Sequence, residues 1–125
     1  MYLSRGIRTG DGTGHAMVGL LPAETIMKDR LVALGYVEVE TQAATMLGPA
    51  GSRFRGHQFR YSELGPIEGS VSQPYHVRRR RGGDASPEGF AMHQVVASYV
   101  HAHWASNTRI AESFVAACAS RKGAS

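Results

Sequence analysis

The spacing of hydrophobic and polar residues along the chain predicts several short strands. Residues 16–22 form an apolar run that ends in proline, which predicts a buried strand. Residues 36–40 alternate between apolar and polar side chains, as in a strand that faces solvent on one side. Two more strands are predicted at 54–62 and 75–80, the second followed by a glycine-rich turn. Residues 90–101 predict a further extended stretch, because they are rich in β-branched and aromatic residues.

Two segments have less regular patterns. Residues 1–6 look like the last turn of a helix that ends at Gly6, although no capping residue or first turn precedes it. One helical turn is unstable by itself, so either the segment is loose or the element begins upstream of Met1, and the pattern favours the second. Residues 24–34 fit a helical period and a strand period equally well.

The clearest predicted element is a helix near the C-terminus. Ser106 or Asn107 can cap its first turn, because their side chains accept hydrogen bonds from free backbone N–H groups. Ile110, Phe114 and Cys118 recur every four residues and define an apolar face. Cys118 is therefore expected to be buried as a small hydrophobic side chain rather than to act as a nucleophile. Two cations and a glycine predict the end of the helix: Arg121, Lys122 and Gly123.

The composition of the chain limits the classes of protein to which it can belong. The chain has 125 residues, enough for one domain with one modest core. Its single cysteine excludes an intramolecular disulfide and fits a reducing compartment. No apolar run approaches about 20 residues and no secretory signal is recognisable, so we expect a cytoplasmic protein that does not span a membrane. The net charge of +4 comes mostly from arginine, which suits acidic ligands, although a solubilising surface charge is the simpler explanation.

The densest group of residues with chemical potential lies at 97–104. His101 and His103 are two residues apart, so on a strand both side chains point to the same face. A histidine near a strand end is a candidate general base, because the ordinary pKa of imidazole lies close to neutral pH. Two histidines that only form hydrogen bonds at a sheet edge would give the same pattern.

A metal site is an alternative use of the same histidines. His101 and His103, together with His57 or His93, could supply three imidazole ligands. The sequence has neither a pair of cysteine ligands nor an HExxH helix, so the general-base interpretation is favoured.

Two other polar segments have simpler explanations. Residues 55–62 are typical of a half-exposed strand, and Gly56 indicates a close approach of another backbone. Residues 78–81 are four consecutive arginines, which can contact phosphates, but a nucleic-acid surface needs a broader basic stripe with stacking aromatics. Beside two glycines, the run is better explained as the solvated end of a hairpin that discourages aggregation between strand edges. Nucleic acid is therefore not an expected partner.

Taken in order, five strings resemble the cobyrinic acid a,c-diamide synthase family. They are MVGLLP at 17–22, DRL at 29–31, LGY at 34–36, RGHQFRYS at 55–62 and ASYVHAH at 97–103. The resemblance runs from Met1 to about Cys118 and is to the C-terminal part of the family's glutamine amidotransferase domain. It implies an α/β, partial flavodoxin-like domain related to class I glutamine amidotransferases, with a mixed sheet and a C-terminal helix.

The resemblance also implies a chemistry. In such enzymes a cysteine thiolate attacks the side-chain amide of glutamine, and a histidine acts as its base. The ammonia then passes to an ATP- and Mg²⁺-dependent N-terminal domain, which activates two carboxylates of the corrin ring. On this sequence the base corresponds to His101. The implied supporting residues are Ser98, Tyr99 and His103, the implied glutamine-binding residues are His57, Gln58 and Tyr61, and no metal site is implied.

The sequence departs from the family pattern at three places. The family's Glu-Cys-Gly-Gly nucleophile turn precedes a Met-Tyr-Leu like that at 1–3, so it falls outside these residues. Class I enzymes carry a glutamate two residues after the base, whereas His103 stands here, which implies a Cys–His dyad. Gln58 and Arg60 replace a glutamate and a histidine of the family's Gly-His-Glu-Phe-His-Tyr-Ser.

These comparisons with the family pattern lead to several expectations. Residues 1–125 should form the C-terminal segment of the amidotransferase domain, without its N-terminal half and without the ATP-binding domain. The segment should bind no cofactor itself, lack glutaminase activity alone, and expose apolar surface where the rest of the domain would pack. The expected partners are glutamine, a corrinoid through the missing domain, and a partner chain if the nucleophilic cysteine lies on another polypeptide.

Overall fold

The computed structural model describes residues 1–80 and 82–122, except for the side chains of Arg121 and Lys122. In chain order the strands are β1 Ser4–Arg8, β2 Gly14–Ala16, β3 Leu21–Met27, β4 Ala33–Thr41, β5 Arg53–Arg60, β6 Ser62–Leu64, β7 Tyr75–Arg79, β8 Ser86–Glu88, β9 Phe90–Met92, β10 Val95–Ala97 and β11 His101–Ala102. A 3₁₀ turn at Trp104–Ser106 precedes the helix α1, Thr108–Lys122. In the described part of the chain, no helix is long and apolar enough to cross a bilayer.

The first of two compact units comprises Met1–Leu34 and Gln58–Val71, and it is built on a four-stranded mixed sheet. Its strand order is β2-β1-β3-β6, in which β1 runs parallel to β3 and the other neighbours are antiparallel. The side chains of Leu21, Ala23 and Thr25, at alternate positions of β3, are buried. The period of two along β3 therefore gives the strand one buried face.

The predicted helix tail at residues 1–6 is wrong. Ser4 begins β1, and its N–H donates to the Met1 carbonyl in a turn that precedes the strand. The buried Ser4 hydroxyl donates to the same carbonyl and accepts a hydrogen bond from the Thr25 hydroxyl at 3.1 Å. Because β2 and β3 satisfy the backbone groups of β1 from both sides, sheet pairing overrides the local helical pattern.

The strand predicted at residues 16–22 is also misplaced. β2 ends and β3 begins inside this run, and between them Gly19 has a φ of +78°, a left-handed conformation that interrupts the extended chain. Val18 and Leu20 are each 45% exposed, so this part of the apolar run does not mark a buried strand. The ambiguous segment 24–34 contains the second half of β3 and the start of β4.

The second unit comprises Gly35–His57 and the described residues from Ser72 onward. Its five-stranded sheet has the order β11-β5-β4-β7-β8, and β9 and β10 form a separate hairpin. The polar residues that alternate with the valines of β4 are on the opposite, more exposed face, which confirms the strand predicted at 36–40. The sheet packs with α1 around one buried cluster: Val37, Val39, Phe54, Tyr75, Val77, Val100 and Ile110.

The other strands predicted for the second half of the chain are confirmed in part. Residues 75–80 contain β7, which pairs antiparallel with β8, and Arg81 in the connection lies outside the described residues. β5 covers most of residues 54–62. The single stretch predicted at 90–101 is wrong, because His93 adopts a φ of +53° and the chain forms three short strands, β9, β10 and β11.

The helix begins where the sequence predicts, but its apolar face is covered only near its start. Asn107 is the cap, since its side-chain oxygen accepts a hydrogen bond from the Arg109 N–H at 3.1 Å. Ile110 is buried, whereas Phe114 is 39% exposed and Cys118 is exposed, so the prediction of a buried Cys118 is wrong. A four-residue period defines a face of a helix but not what packs on it. The predicted glycine after the helix lies outside the described residues.

Replacing Ile110 with alanine should lower the free energy of unfolding by about 2–4 kcal/mol, because it removes a fully buried side chain from the core cluster. Val115→Ala is the matched control, because Val115 is 64% exposed in the same helix and its loss should change stability by less than about 0.5 kcal/mol. Urea unfolding followed by circular dichroism measures both. Equal effects would show that α1 is not anchored through Ile110.

Burial, with a smaller contribution from the Glu88 carboxylate, raises the pKa of Tyr75 to about 12. The folded state therefore retains the phenolic proton to a higher pH than the unfolded state, in which tyrosine titrates near about 10. The resulting stabilisation should be complete below about pH 10 and should disappear as the pH rises toward about 12. In urea titrations, Tyr75→Phe should make this alkaline loss of stability less steep, whereas Tyr2→Phe, at an exposed position, should leave it unchanged. An unaltered pH dependence in Tyr75→Phe would contradict this assignment.

Candidate functional site

Strand pairing brings two of the predicted histidines together on the exposed face of the second unit. His101 of β11 lies directly opposite His57 of β5 in the antiparallel register, so both side chains project from the same face. The centroids of their imidazole rings are 6.3 Å apart. Tyr36 of β4 packs edge-on against the His57 ring, with a centroid distance of 5.6 Å. Two imidazoles and a phenol therefore lie side by side.

A groove with a volume of about 580 Å³ opens beside these rings. His101 and His103 are both exposed, which leaves their ring atoms accessible to a molecule in the groove. A general base must be able to reach the proton that it removes, and the exposure of His101 leaves its ring open to a molecule in the groove. Six further side chains give the groove its polar and aromatic walls: Tyr36, Glu38, Arg55, His57, Arg80 and His103.

A close approach of two backbones fixes the position of His101. A Cβ atom on Gly56 would overlap the Val100 side chain and would lie 2.8 Å from the His101 carbonyl oxygen, so only glycine fits there. The His103 N–H donates to the Arg55 carbonyl at 2.9 Å and continues the pairing beyond β11. The close approach that Gly56 predicts is confirmed.

The family resemblance implies Ser98 and Tyr99 as supporting residues. Both form hydrogen bonds that hold the backbone just before His101. The Ser98 hydroxyl and the Tyr99 N–H both donate to the carboxylate of Glu88, and the Val100 N–H donates to the Ser98 hydroxyl. Glu88 has no recognisable signal in the sequence, because its partners lie ten and eleven residues away and a single acid at the end of a three-residue strand shows no periodicity.

The remaining implied glutamine-binding residues, Gln58 and Tyr61, do not line the groove beside His57. Gln58 follows His57 on β5, so the two side chains point to opposite faces of the strand, and Gln58 is buried. Gln58 and Tyr61 both belong to the first unit. Tyr61 packs edge-on against Phe59, with a centroid distance of 5.7 Å. The structure thus groups His57 with His101 and His103.

The metal-binding alternative finds no support in the described residues. Among them, no three His, Cys, Asp or Glu side chains are grouped so that they could share a metal ion. The arginine run also has an acidic neighbour, since Arg78 of β7 lies opposite Glu38 of β4 in the strand register. The described part of the run therefore does not form a uniformly basic stripe. That nucleic acid is not a partner stays a prediction.

The one cysteine of the sequence does not line the groove beside His57 and His101. Cys118 lies on α1, whose Ile110 packs into the cluster on the buried face of the sheet. His57 and His101 project from the other face, because residues alternate between faces along a strand. Cys118 therefore does not provide a thiol at the position where His101 could deprotonate it.

Comparison with known proteins agrees with the motif resemblance. The family model of the CobB/CobQ-like glutamine amidotransferase domain matches residues 1–109. The cobyrinate a,c-diamide synthase of Leptospira interrogans is 49% identical over 119 residues, which cover 94% of this chain and 26% of that protein. Those of Syntrophotalea carbinolica and Priestia megaterium are 42% and 35% identical, with 94% and 98% of this chain covered and 26% of each protein. The chain thus spans about a quarter of the length of these relatives.

Gly56→Ala should displace β11 and lower the free energy of unfolding by about 1–3 kcal/mol, because the new methyl group overlaps Val100. The matched control is Gly14→Ala in β2, where an added Cβ meets no atom within 4 Å. Urea unfolding measures stability, and the imidazole resonances of His101 in NMR spectra report the displacement of β11. If Gly56→Ala leaves both unchanged, the close approach does not position His101.

Proposed function

Because the chain belongs to the CobB/CobQ-like glutamine amidotransferase domain family, we propose that it supplies the general base of a glutaminase site. The α/β fold, with its mixed sheet and C-terminal helix, agrees with a partial class I-like amidotransferase domain. The observation that carries the proposal is the placement of His101, exposed at an open groove and paired with His57 across two strands.

The reaction follows from the position of the imidazole. A ring nitrogen of His101 accepts the proton of a cysteine thiol, and the resulting thiolate attacks the side-chain amide carbon of glutamine. When the tetrahedral intermediate collapses, the carbon–nitrogen bond breaks and the imidazolium donates its proton to the departing nitrogen. Ammonia leaves, and water then hydrolyses the thioester to glutamate and the free thiol.

The thiol in this proposal comes from outside the described residues. Cys118 is on the helix side of the sheet, whereas the groove is on the other face. The proposal therefore takes the nucleophile from another polypeptide segment or from a partner chain. A cysteine that enters the groove beside His101 would complete a Cys–His dyad. His103, which also lines the groove, stands where class I enzymes carry a glutamate, so that position supplies no carboxylate to the base.

The groove has the charges that a free amino acid requires. Arg55, Arg80 and Glu38 are among the residues that line it. Guanidinium suits the α-carboxylate of glutamine, and a carboxylate suits its α-ammonium group. In the proposal, His57 and Tyr36, whose rings pack against each other, contact the side chain that carries the amide.

The use of the ammonia follows from the relatives. They are named cobyrinate a,c-diamide synthases, so the proposed product serves the amidation of corrin-ring carboxylates in cobalamin biosynthesis. In the proposal this ligase step, with its ATP and Mg²⁺, belongs to a domain outside residues 1–125, and the described segment binds neither. Its dependence on ATP points to the cytoplasm as the compartment.

A chimera tests the proposal directly. In the Leptospira interrogans relative, this chain replaces the residues that match it, and glutamate release and corrinoid amidation are measured. His101→Asn should lower kcat for glutamine hydrolysis by about 10²–10⁴-fold, because the general base is lost. Amidation supported by added ammonium salt should be unaffected, since it bypasses the glutaminase site.

His15→Asn is the matched control, because His15 is an exposed histidine of β2 in the first unit. It should leave glutamate release unchanged. The proposal is contradicted if the unaltered chimera releases no glutamate, or if His101→Asn retains full activity.

A further inference from the structure

A buried carboxylate holds the segment that leads into β11. Glu88, at the end of β8, is 8% exposed and is the one buried acidic residue among those that the structure describes. Its Oε2 atom accepts a hydrogen bond from the Ser98 hydroxyl at 2.7 Å, and its Oε1 atom accepts one from the Tyr99 N–H at 2.9 Å. The Ser98 hydroxyl accepts a hydrogen bond from the Val100 N–H at 2.8 Å. Both carboxylate oxygens therefore hold consecutive residues of one segment.

The surroundings of Glu88 keep this carboxylate away from solvent. It lies opposite Tyr75 in the register of β7 and β8. Gly89 follows with a φ of +73°, and a Cβ atom there would lie 2.6 Å from a carbon of the Tyr75 ring. The aromatic ring therefore packs onto the backbone beside the carboxylate. A carboxylate in such a place requires hydrogen bonds that replace its water, which Ser98 and Tyr99 provide.

The held segment ends at His101. Residues 98–100 lie between β10 and β11 and belong to neither strand, so no ladder of strand hydrogen bonds fixes them. Val100 is buried in the core cluster beside Gly56. The chain that enters β11 is thus fixed from one side by Glu88 and from the other by the pairing with β5.

We infer that Glu88 is a positioning residue that sets the orientation of the His101 imidazole through Ser98 and Val100. The inference rests on the proposed function, because the ring that it orients is the proposed base. Glu88 does not line the groove, so it contacts neither glutamine nor the thiol. Its effect is on geometry, and a misplaced base lowers the rate of proton transfer more than it weakens binding of the substrate.

Two substitutions separate the hydrogen bonds of Glu88 from its charge. Glu88→Ala removes both hydrogen bonds. Glu88→Gln keeps the shape, since its amide oxygen can accept from the Tyr99 N–H while its amide nitrogen donates to the Ser98 hydroxyl. In the chimera, Glu88→Ala should lower kcat for glutamine hydrolysis by about 10–100-fold with KM changed by less than about twofold. Glu88→Gln should retain kcat within about threefold.

A destabilising control distinguishes positioning from general loss of structure. Leu21→Ala removes a buried side chain of β3 in the first unit, outside the cluster that contains Val100. At a temperature where both variants are folded, it should leave kcat unchanged. If Leu21→Ala and Glu88→Ala lower kcat equally, or if Glu88→Gln does not restore it, the inference is overturned. Should Glu88→Ala fail to fold, Ser98→Ala, with Ser98→Thr as the conservative variant, makes the same comparison.

A readout without activity separates this inference from the proposed function. In the 125-residue chain, the imidazole resonances of His101 are identified by their loss in His101→Asn. Glu88→Ala should shift them, whereas Glu88→Gln should not, and the resonances of His15 should stay in place in both. Unshifted His101 resonances in Glu88→Ala overturn the inference even if the chimera is active. A chimera without glutaminase activity overturns the proposed function, while the NMR shifts still decide whether Glu88 orients His101.

Discussion

The contact between β11 and β5 at Gly56 determines both the core and the candidate site. On the buried face, the missing side chain of Gly56 leaves the space that Val100 fills. On the exposed face, the same pairing sets His101 opposite His57. Because protein interiors are close-packed, a change of volume under the sheet is transmitted to the strands above it. The packing of Val100 and the placement of His101 therefore depend on each other.

The exposed face of the second unit is rich in charge, but little of this charge supports the fold. The ion pair between Arg53 and Glu40 has a distance of 2.9 Å and is largely open to solvent, where such pairs contribute about 0–1 kcal/mol. Stability comes instead from the apolar cluster on the other face. The charged residues beside the imidazoles can therefore be arranged for a ligand at little cost to folding. Substitutions among these surface charges can therefore change the chemistry of the groove with little effect on stability.

The sequence was informative wherever the relevant contacts are local. The alternation at 36–40 predicts β4, and Asn107 predicts the start of α1, because each pattern depends on neighbouring residues. The placement of His101 and His103 toward one groove also follows from their spacing of two. The family resemblance rests on five strings in a fixed order, and the match to residues 1–109 confirms it.

Local patterns failed where partners are distant in the sequence. Residues 4–6 belong to a sheet because β3 lies beside them, and no neighbouring residue in the sequence indicates that pairing. Cys118 is exposed because no described element covers its turn of α1, although its period is that of a buried face. Glu88 was overlooked for the same reason, since only the folded chain brings it to Ser98.

The exposed thiol of Cys118 also makes the molecule easy to label. It is the single cysteine of the sequence, so a maleimide dye or a nitroxide attaches at one defined point. That point is on the helix side of the sheet, away from the groove beside His101. A probe placed there can report the arrival of another polypeptide by energy transfer or dipolar broadening while the imidazole face stays unmodified.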